Sequence, residues 1–199
     1  MRTNSILVSI LIIFLTIEIN AQEFKFGLTA GVDLTNARRI YVNSPQPYCY
    51  PVISFNFNGY MGFKSPGIWG FSVEPGFIRK GGKRTDISID ESFFTPTAPY
   101  HLDYIQIPLL ADFYITEKLY MSVGPEFGYL IDAKAVYSNG DNVSLPGYKR
   151  LELSGLIGLN YRVLEKLDIG VRFSRGLTDT NKYDKEYNEY LQILFRFKI

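Results

Sequence analysis

The feature that most constrains this chain is a strict alternation of apolar and polar residues. It is clearest over residues 191–199, where every odd-numbered position is apolar. A helical stripe through the same segment would include Lys198 and leave out Phe197. Side chains that alternate between two faces are typical of a β-strand with one apolar and one polar side.

Eight segments of the chain have this pattern. Membrane-spanning strands need about 9–11 residues, whereas soluble strands average about 5–6. Most of the segments are long enough to span a membrane. The predicted strands are residues 24–34, 52–63, 68–80, 102–114, 119–131, 151–162, 167–175 and 191–199.

The connections between these segments alternate between long and short. Long connections cover residues 35–51, 81–101, 132–150 and 176–189, and short ones cover 64–67, 115–118 and 163–166. Outer-membrane barrels have short periplasmic turns and long external loops. The sequence therefore predicts an all-β fold, an eight-stranded antiparallel up-and-down transmembrane β-barrel. A soluble periplasmic lipocalin-like barrel is the alternative, and it would need an apolar interior.

The first 21 residues predict a cleaved signal peptide. Arg2 precedes a 12-residue apolar run at 6–17, and Ala21 ends a segment that resembles a cleavage site. A membrane anchor needs about 20 apolar residues, and Glu18 interrupts this run too early. We expect residues 22–199 to form the barrel domain, exported to the outer membrane of a bacterium.

Composition excludes several function classes. A formal net charge of +1 gives no general electrostatic basis for nucleic-acid binding. The one cysteine, Cys49, forms no internal disulfide, and the one histidine, His101, makes no multi-histidine metal site. His101 has no motif-marked serine for a hydrolase triad. We expect no enzymatic activity and no cofactor.

The polar face of the predicted strands is rich in glycine and charge. Nine glycines lie on it and would relieve crowding inside a narrow barrel. Acidic and basic residues balance, which favours a lumen closed by ion pairs over an open pore. The predicted lumen charge network is Lys25, Glu74, Asp112, Glu126, Glu152, Arg162, Asp168, Arg172, Arg196 and Lys198.

Three prolines, Pro75, Pro108 and Pro125, fall inside predicted strands. Each removes a donor from a ladder that has no free edge, so we expect bulges or local breaks there.

The long connections carry many aromatic residues. Such residues also form the interfacial belt of a barrel, and the architecture makes a belt the preferred interpretation. As a second interpretation, tyrosine-rich loops form adaptable binding surfaces. The candidate recognition residues are Tyr41, Tyr48, Tyr50, Phe93, Phe94, Tyr137 and Tyr148.

The chain resembles the PorT-like outer-membrane β-barrel family of Bacteroidota, a group of small porin-family-like barrels. The segments that carry the resemblance are FGLTAGVDLTN (26–36), FSVEPGFIRKGGK (71–83), LDYIQIPLLADFYI (102–115), LYMSVGPEFGYLIDAK (119–134), LIGLNYRV (156–163) and LDIGVRFSRGLTD (167–179). The resemblance implies location and fold, and its founding member implies protein secretion. This chain differs in ending on Ile199, where such barrels often end on an aromatic residue.

These observations lead to three functional hypotheses. The first is a structural or interaction protein that acts through its external loops. The second, implied by the resemblance, is an accessory component of protein secretion across the outer membrane. The third is a small-solute channel. Expected partners are outer-membrane lipid, the barrel assembly machinery during biogenesis, and secretion-machine proteins or extracellular ligands.

Overall fold

The computed structural model describes residues 23–40, 49–84, 99–136, 142–183 and 185–199, and the regular elements within them are all β-strands. The predicted signal peptide lies outside these residues. The strands are β1 Glu23–Ile40, β2 Cys49–Tyr50, β3 Val52–Lys64, β4 Trp69–Val73, β5 Gly76–Arg84, β6 Pro99–Tyr114, β7 Leu119–Val136, β8 Asn142–Ser144, β9 Leu151–Leu164, β10 Leu167–Gly176 and β11 Lys185–Lys198.

The strands close into an antiparallel barrel whose wall has eight positions, each filled by one long strand or by two short strands in line. We call each of these eight wall positions a stave. β4 and β5 are two halves of one stave, so the order around the ring is β1, β3, β4/β5, β6, β7, β9, β10 and β11. The ring closes because β1 pairs with β3 on one side and with β11 on the other, from Gly27↔Lys198 to Ile40↔Lys185. The predicted eight-stranded up-and-down barrel is confirmed.

Several strands are longer than predicted at one end of the barrel. β1 continues to Ile40, β7 to Val136 and β11 begins at Lys185. These extensions lie at the end with the long connections, which is the extracellular end by the general rule for such barrels. The apolar alternation stops at the membrane boundary, so it could not reveal strand pairing that continues into water.

The three prolines cause breaks and not bulges. Pairing of β3 stops at Met61↔Val73 and resumes at Asn58↔Gly76 in the same register, so regular strand pairing is interrupted only at Glu74 and Pro75. Pairing of β6 with β7 is interrupted between Pro108↔Glu126 and Ala111↔Val123, opposite Pro125, whereas the pairing of β7 with β9 runs unbroken past that residue. The actual register shifts lie elsewhere, at Asp103/Tyr104 and Leu167/Asp168.

The outer face of the barrel is a continuous apolar band. Phe24, Phe63, Trp69 and Phe71 form a chain of ring contacts near the short turns, with centroids 5.3–6.1 Å apart. This is the aromatic belt expected at a membrane interface. The described residues contain no helix long and apolar enough to cross a membrane.

An ion pair marks the upper edge of the band on β5 and β6. Phe77 and Ile105 face outward as partners, and two residues further up Arg79 donates to Asp103 at 2.7 and 2.9 Å. Asp103 faces outward by the ordinary alternation of β6 and is the direct register partner of Arg79, whereas the nearby register shift skips Ile131 on β7. Long basic side chains are favoured at this depth, because their charged ends reach the interface.

Candidate functional site

The periplasmic half of the lumen is closed by an ion-pair cluster around Glu74. Arg172 donates two hydrogen bonds to the Glu74 carboxylate at 2.6 and 2.7 Å, and Arg196 donates a third. Arg196 also lies 4.2 Å from the ring centroid of Tyr60. Glu74 is fully buried and the two arginines are at most 2% exposed. Buried charges are tolerable only with this degree of pairing.

The same cluster extends toward the periplasmic mouth through Asp168. Tyr120 donates to Asp168 at 2.6 Å and itself accepts a hydrogen bond from Arg196. Lys198 lies 2.5 Å from the same carboxylate, and Arg162 is more distant at 3.8 Å. Alternate residues of β10 and β11 point inward, and Asp168 is the register partner of Arg196, so these two groups face the lumen at the same height.

A second cluster closes the lumen above the first. Lys80 lies 2.9 Å from Glu126 and 3.2 Å from Glu152. Glu126 also accepts from the Tyr190 hydroxyl, and Glu152 accepts from Asn188 at 2.9 Å. All five side chains are buried. One ammonium therefore offsets half of the formal charge of the two carboxylates, and neutral donors satisfy their remaining oxygens.

Amide side chains hold a further buried carboxylate on β1. Asn56 contacts both oxygens of Asp33 at 2.9 and 3.0 Å, and Gln192 donates to the same group at 2.8 Å. Asp33 lies inside the barrel with no exposed surface. Since charge-assisted hydrogen bonds are stronger than neutral ones, this group joins three staves.

Apolar and tyrosine side chains fill most of the extracellular end of the lumen. This apolar cap packs around and above the Lys80 cluster, with Tyr190 common to both, and Tyr148 joins its edge, where its hydroxyl donates to the buried Glu186 at 3.2 Å. The upper end of the lumen is therefore more apolar than the rest but still holds a buried carboxylate. The buried members of the cap are Ala37, Ile78, Tyr100, Leu102, Tyr104, Leu130, Ala135 and Tyr190.

Inward-facing glycines make room for the large side chains, as the sequence predicts. A Cβ at Gly158 would lie 2.7 Å from Cγ of Arg172, and one at Gly128 would lie 3.1 Å from the Tyr104 ring. Close packing of this kind is expected in an eight-stranded barrel, whose interior is just wide enough for side chains.

The structure brings most of the predicted charged residues together inside the barrel. Eight of the ten predicted residues are buried, whereas Lys25 and Arg162 are half-buried around a small cavity at the periplasmic mouth. Lys80 was not predicted. Lys80 lies six residues after Glu74 on the same stave, and an even spacing puts both side chains on the inward face. This spacing in the sequence could have identified Lys80.

The loop residues have mixed outcomes. Tyr50 is half exposed on β2, whereas Tyr148 packs against the apolar cap, with its ring 6.3 Å from that of Tyr100. Tyr100 and Tyr190, which the sequence places among loop or belt aromatics, are buried inside the barrel. The other candidates lie outside the described residues: Tyr41, Tyr48, Phe93, Phe94 and Tyr137.

Residues considered for chemistry are isolated from one another. The described part of the chain has no group of three or more His, Cys, Asp or Glu side chains that could hold a metal. His101 lies at the extracellular end of β6, above the apolar band, and partial burial together with Arg79 lowers its pKa. Cys49 is half-buried on β2, outside any disulfide of the described residues, and its backbone pairs in register with Arg84.

The closed ring, its apolar exterior and its polar filled interior define a membrane-embedded β-barrel. The outer membrane protein beta-barrel domain matches residues 20–182, and the chain belongs to this family of bacterial outer-membrane proteins. The protein is therefore located in the bacterial outer membrane.

Solved structures agree with the fold. Neisserial surface protein A is 17% identical with a TM-score of 0.55, over 87% of this chain and 97% of its own. Ail of Yersinia pestis, solved in complex with the heparin analogue sucrose octasulfate, is 16% identical with a TM-score of 0.50, over 89% and 99%. At this identity the likeness concerns the fold alone. No curated protein matches the chain.

Proposed function

We propose that this protein is a closed, non-conducting barrel with a structural or interaction role at the bacterial surface. The observation that carries the proposal is the filled lumen, in which ion-pair clusters around Glu74 and Lys80 lie beneath an apolar cap. The barrel acts as a rigid support, and its extracellular ends and loops form the surface available to a ligand. The proposed role involves no catalysis and no cofactor.

The energetics of the lumen argue against a small-solute channel. Removing one partner of a buried ion pair costs about 3–5 kcal/mol, because the other charge stays uncompensated. A solute path would have to separate Glu74 from both Arg172 and Arg196, and also Lys80 from its two carboxylates. Such openings are rare, so solute flux through the described lumen is negligible.

Conductance in planar bilayers tests the proposal. The wild-type protein is expected to insert without discrete current steps. A variant with Glu74→Ala, Arg172→Ala and Arg196→Ala, which removes the lower cluster, is the reference for a widened lumen. Arg175→Ala, on the outward face of β10, is the matched control and should stay silent. Regular steps from folded wild-type protein would overturn the closed-lumen proposal in favour of a channel.

An accessory role in secretion is the second candidate, and its support is the resemblance to the PorT-like barrels of Bacteroidota. Its test is deletion of the gene followed by comparison of the proteins released into the medium. Loss of released cargo, restored by the intact gene, would support the role. Unchanged release would reject it and leave the surface role. In either role we propose a cleaved signal peptide at residues 1–21 and insertion by the barrel assembly machinery.

A further inference from the structure

A groove lies in the barrel wall at its extracellular end. It has a volume of about 330 Å³ and lies between the β7–β8 hairpin and the segment that follows β10. Its inner side is formed by Leu130 and Tyr148, which belong to or pack against the apolar cap. Its outer rim is formed by the exposed residues Ile131, Asp132 and Arg150, and Lys182 also lines it. The groove differs from the lumen clusters because this rim lies at the outer face of the barrel.

The lower border of the groove is lipid-facing. Ile131 is 54% exposed on the outer side of β7, and Leu151 is 72% exposed at the top of β9. Between them Tyr129 directs its hydroxyl upward, where it accepts a hydrogen bond from Arg150 at 2.8 Å. An apolar strip thus leads from the acyl region directly to a cationic group.

The charge in the groove favours an anion. Its one carboxylate, Asp132, is paired with Lys134 at 3.1 Å. Among the described residues no carboxylate pairs with Arg150 or Lys182, although both line the groove. Arg150 keeps most of its donors available because Tyr129 uses only one of them. A guanidinium and an ammonium facing one opening are the groups that bind phosphate.

Backbone hydrogen bonds hold the chain that carries the two cations. Lys182 donates its backbone N–H to the Gly147 carbonyl at 2.9 Å, and Lys149 donates its backbone N–H to the Thr180 carbonyl at 2.7 Å. Leu130 donates to the Arg150 carbonyl at 2.7 Å, which holds Arg150 beside the upper part of β7. The backbone of the groove is therefore ordered in the free protein, and the Tyr129 contact also orders Arg150, so the main ordering cost of binding falls on the Lys182 side chain.

We propose that this groove binds the phosphorylated headgroup of an outer-leaflet glycolipid, with Arg150 and Lys182 contacting phosphate and an acyl chain lying along Ile131 and Leu151. The lipid source is favoured over a free anion because the apolar strip is continuous with the cations. The inference rests on the outer-membrane location of the barrel. It does not depend on whether the lumen conducts.

The test is binding of bisphosphorylated lipid A to the purified full-length barrel in neutral detergent micelles, read by native mass spectrometry. The comparison variants are Arg150→Gln with Lys182→Gln, and a matched control, Lys118→Gln with Lys166→Gln, which removes two exposed cations from the periplasmic turns. We expect binding about ten-fold or more weaker in the groove variant, since it loses two charge-assisted contacts to phosphate. The control should bind like the wild type.

Two further probes distinguish a lipid-borne phosphate from free inorganic phosphate as the bound group. Dephosphorylated lipid A should bind no better to the wild type than to the groove variant. Inorganic phosphate should not displace lipid A at millimolar concentration. Equal binding by the groove variant and the wild type would overturn the proposal. Displacement by inorganic phosphate would also overturn it, by indicating a free-anion site. Unboiled gel mobility of each variant confirms that a loss of binding does not reflect misfolding.

Discussion

At the scale of single residues, the interior depends on a few charged groups that each serve several partners. Lys80 bridges two carboxylates from neighbouring staves, and Glu74 accepts from two arginines on β10 and β11. Because these contacts join strands on different sides of the lumen, each group stabilises the closed barrel. Their loss should affect stability more than any outward-facing substitution.

Lys80→Met should destabilise the folded barrel by about 3–5 kcal/mol, because Glu126 and Glu152 would remain buried without their shared cation. Reversible urea unfolding in lipid or detergent measures the change. A triple variant that adds Glu126→Gln and Glu152→Gln should recover most of the loss, since it removes the uncompensated charges. A loss below about 1 kcal/mol in the single variant would contradict the assigned role.

Gly158→Ala should destabilise the barrel by about 1–3 kcal/mol, because its Cβ forces Cγ of Arg172 away from Glu74. Gly155→Ala is the matched control on the same strand, where the nearest atom to a new Cβ is Cδ1 of Leu177 at 3.9 Å. The control should stay within about 0.5 kcal/mol of the wild type. Equal effects in the same unfolding assay would show that space around Arg172 is not limiting.

At the scale of elements, the wall is interrupted where three neighbouring staves carry proline. The Glu74 N–H donates to the Pro108 carbonyl at 3.1 Å, and Pro108 is in turn paired with Glu126, the neighbour of Pro125. Each break thus lies beside an acid of the lumen network. We infer that the ion pairs of Glu74 and Glu126 stabilise the barrel wall across the lumen, where backbone hydrogen bonds between strands are missing.

Pro75→Val should stabilise the barrel by about 1 kcal/mol. Gly59 donates to the Pro75 carbonyl at 2.8 Å, but the reciprocal donor is missing because proline has no N–H. Valine would supply it and satisfy the Gly59 carbonyl. Pro51→Val, outside the ladder, is the control and should show only the cost of a more flexible unfolded chain. No gain in Pro75→Val relative to this control would refute the explanation.

At the scale of the whole molecule, closure by β1 and β11 makes the barrel one cooperative unit. We expect the unboiled protein to run faster than the boiled protein on an SDS gel, because the closed ring resists detergent and stays compact. Deleting residues 191–199 removes the strand that pairs with both β1 and β10, so the fast band should disappear. A fast band that survives this deletion would mean that the ring closes in another way.

The sequence by itself determined the ring and the inward face of each strand. Period-two alternation identifies the staves and their inward faces, because each slip of one residue would expose the polar face to lipid. Loop lengths add a prediction of the direction of insertion. The same alternation predicted most of the charge network, because charged side chains on the inward face of a narrow barrel must lie close to one another.

Only the tertiary structure decided which inward groups meet. Contact across a lumen depends on how eight tilted strands are staggered, and neither alternation nor spacing along one strand contains that information. It therefore brought Lys80 between Glu126 and Glu152, placed Asp33 among amides, and enclosed Tyr100 and Tyr190 in an apolar cap. The groove at Arg150 and Lys182 arises in the same way, because two segments far apart in sequence are joined there by backbone hydrogen bonds.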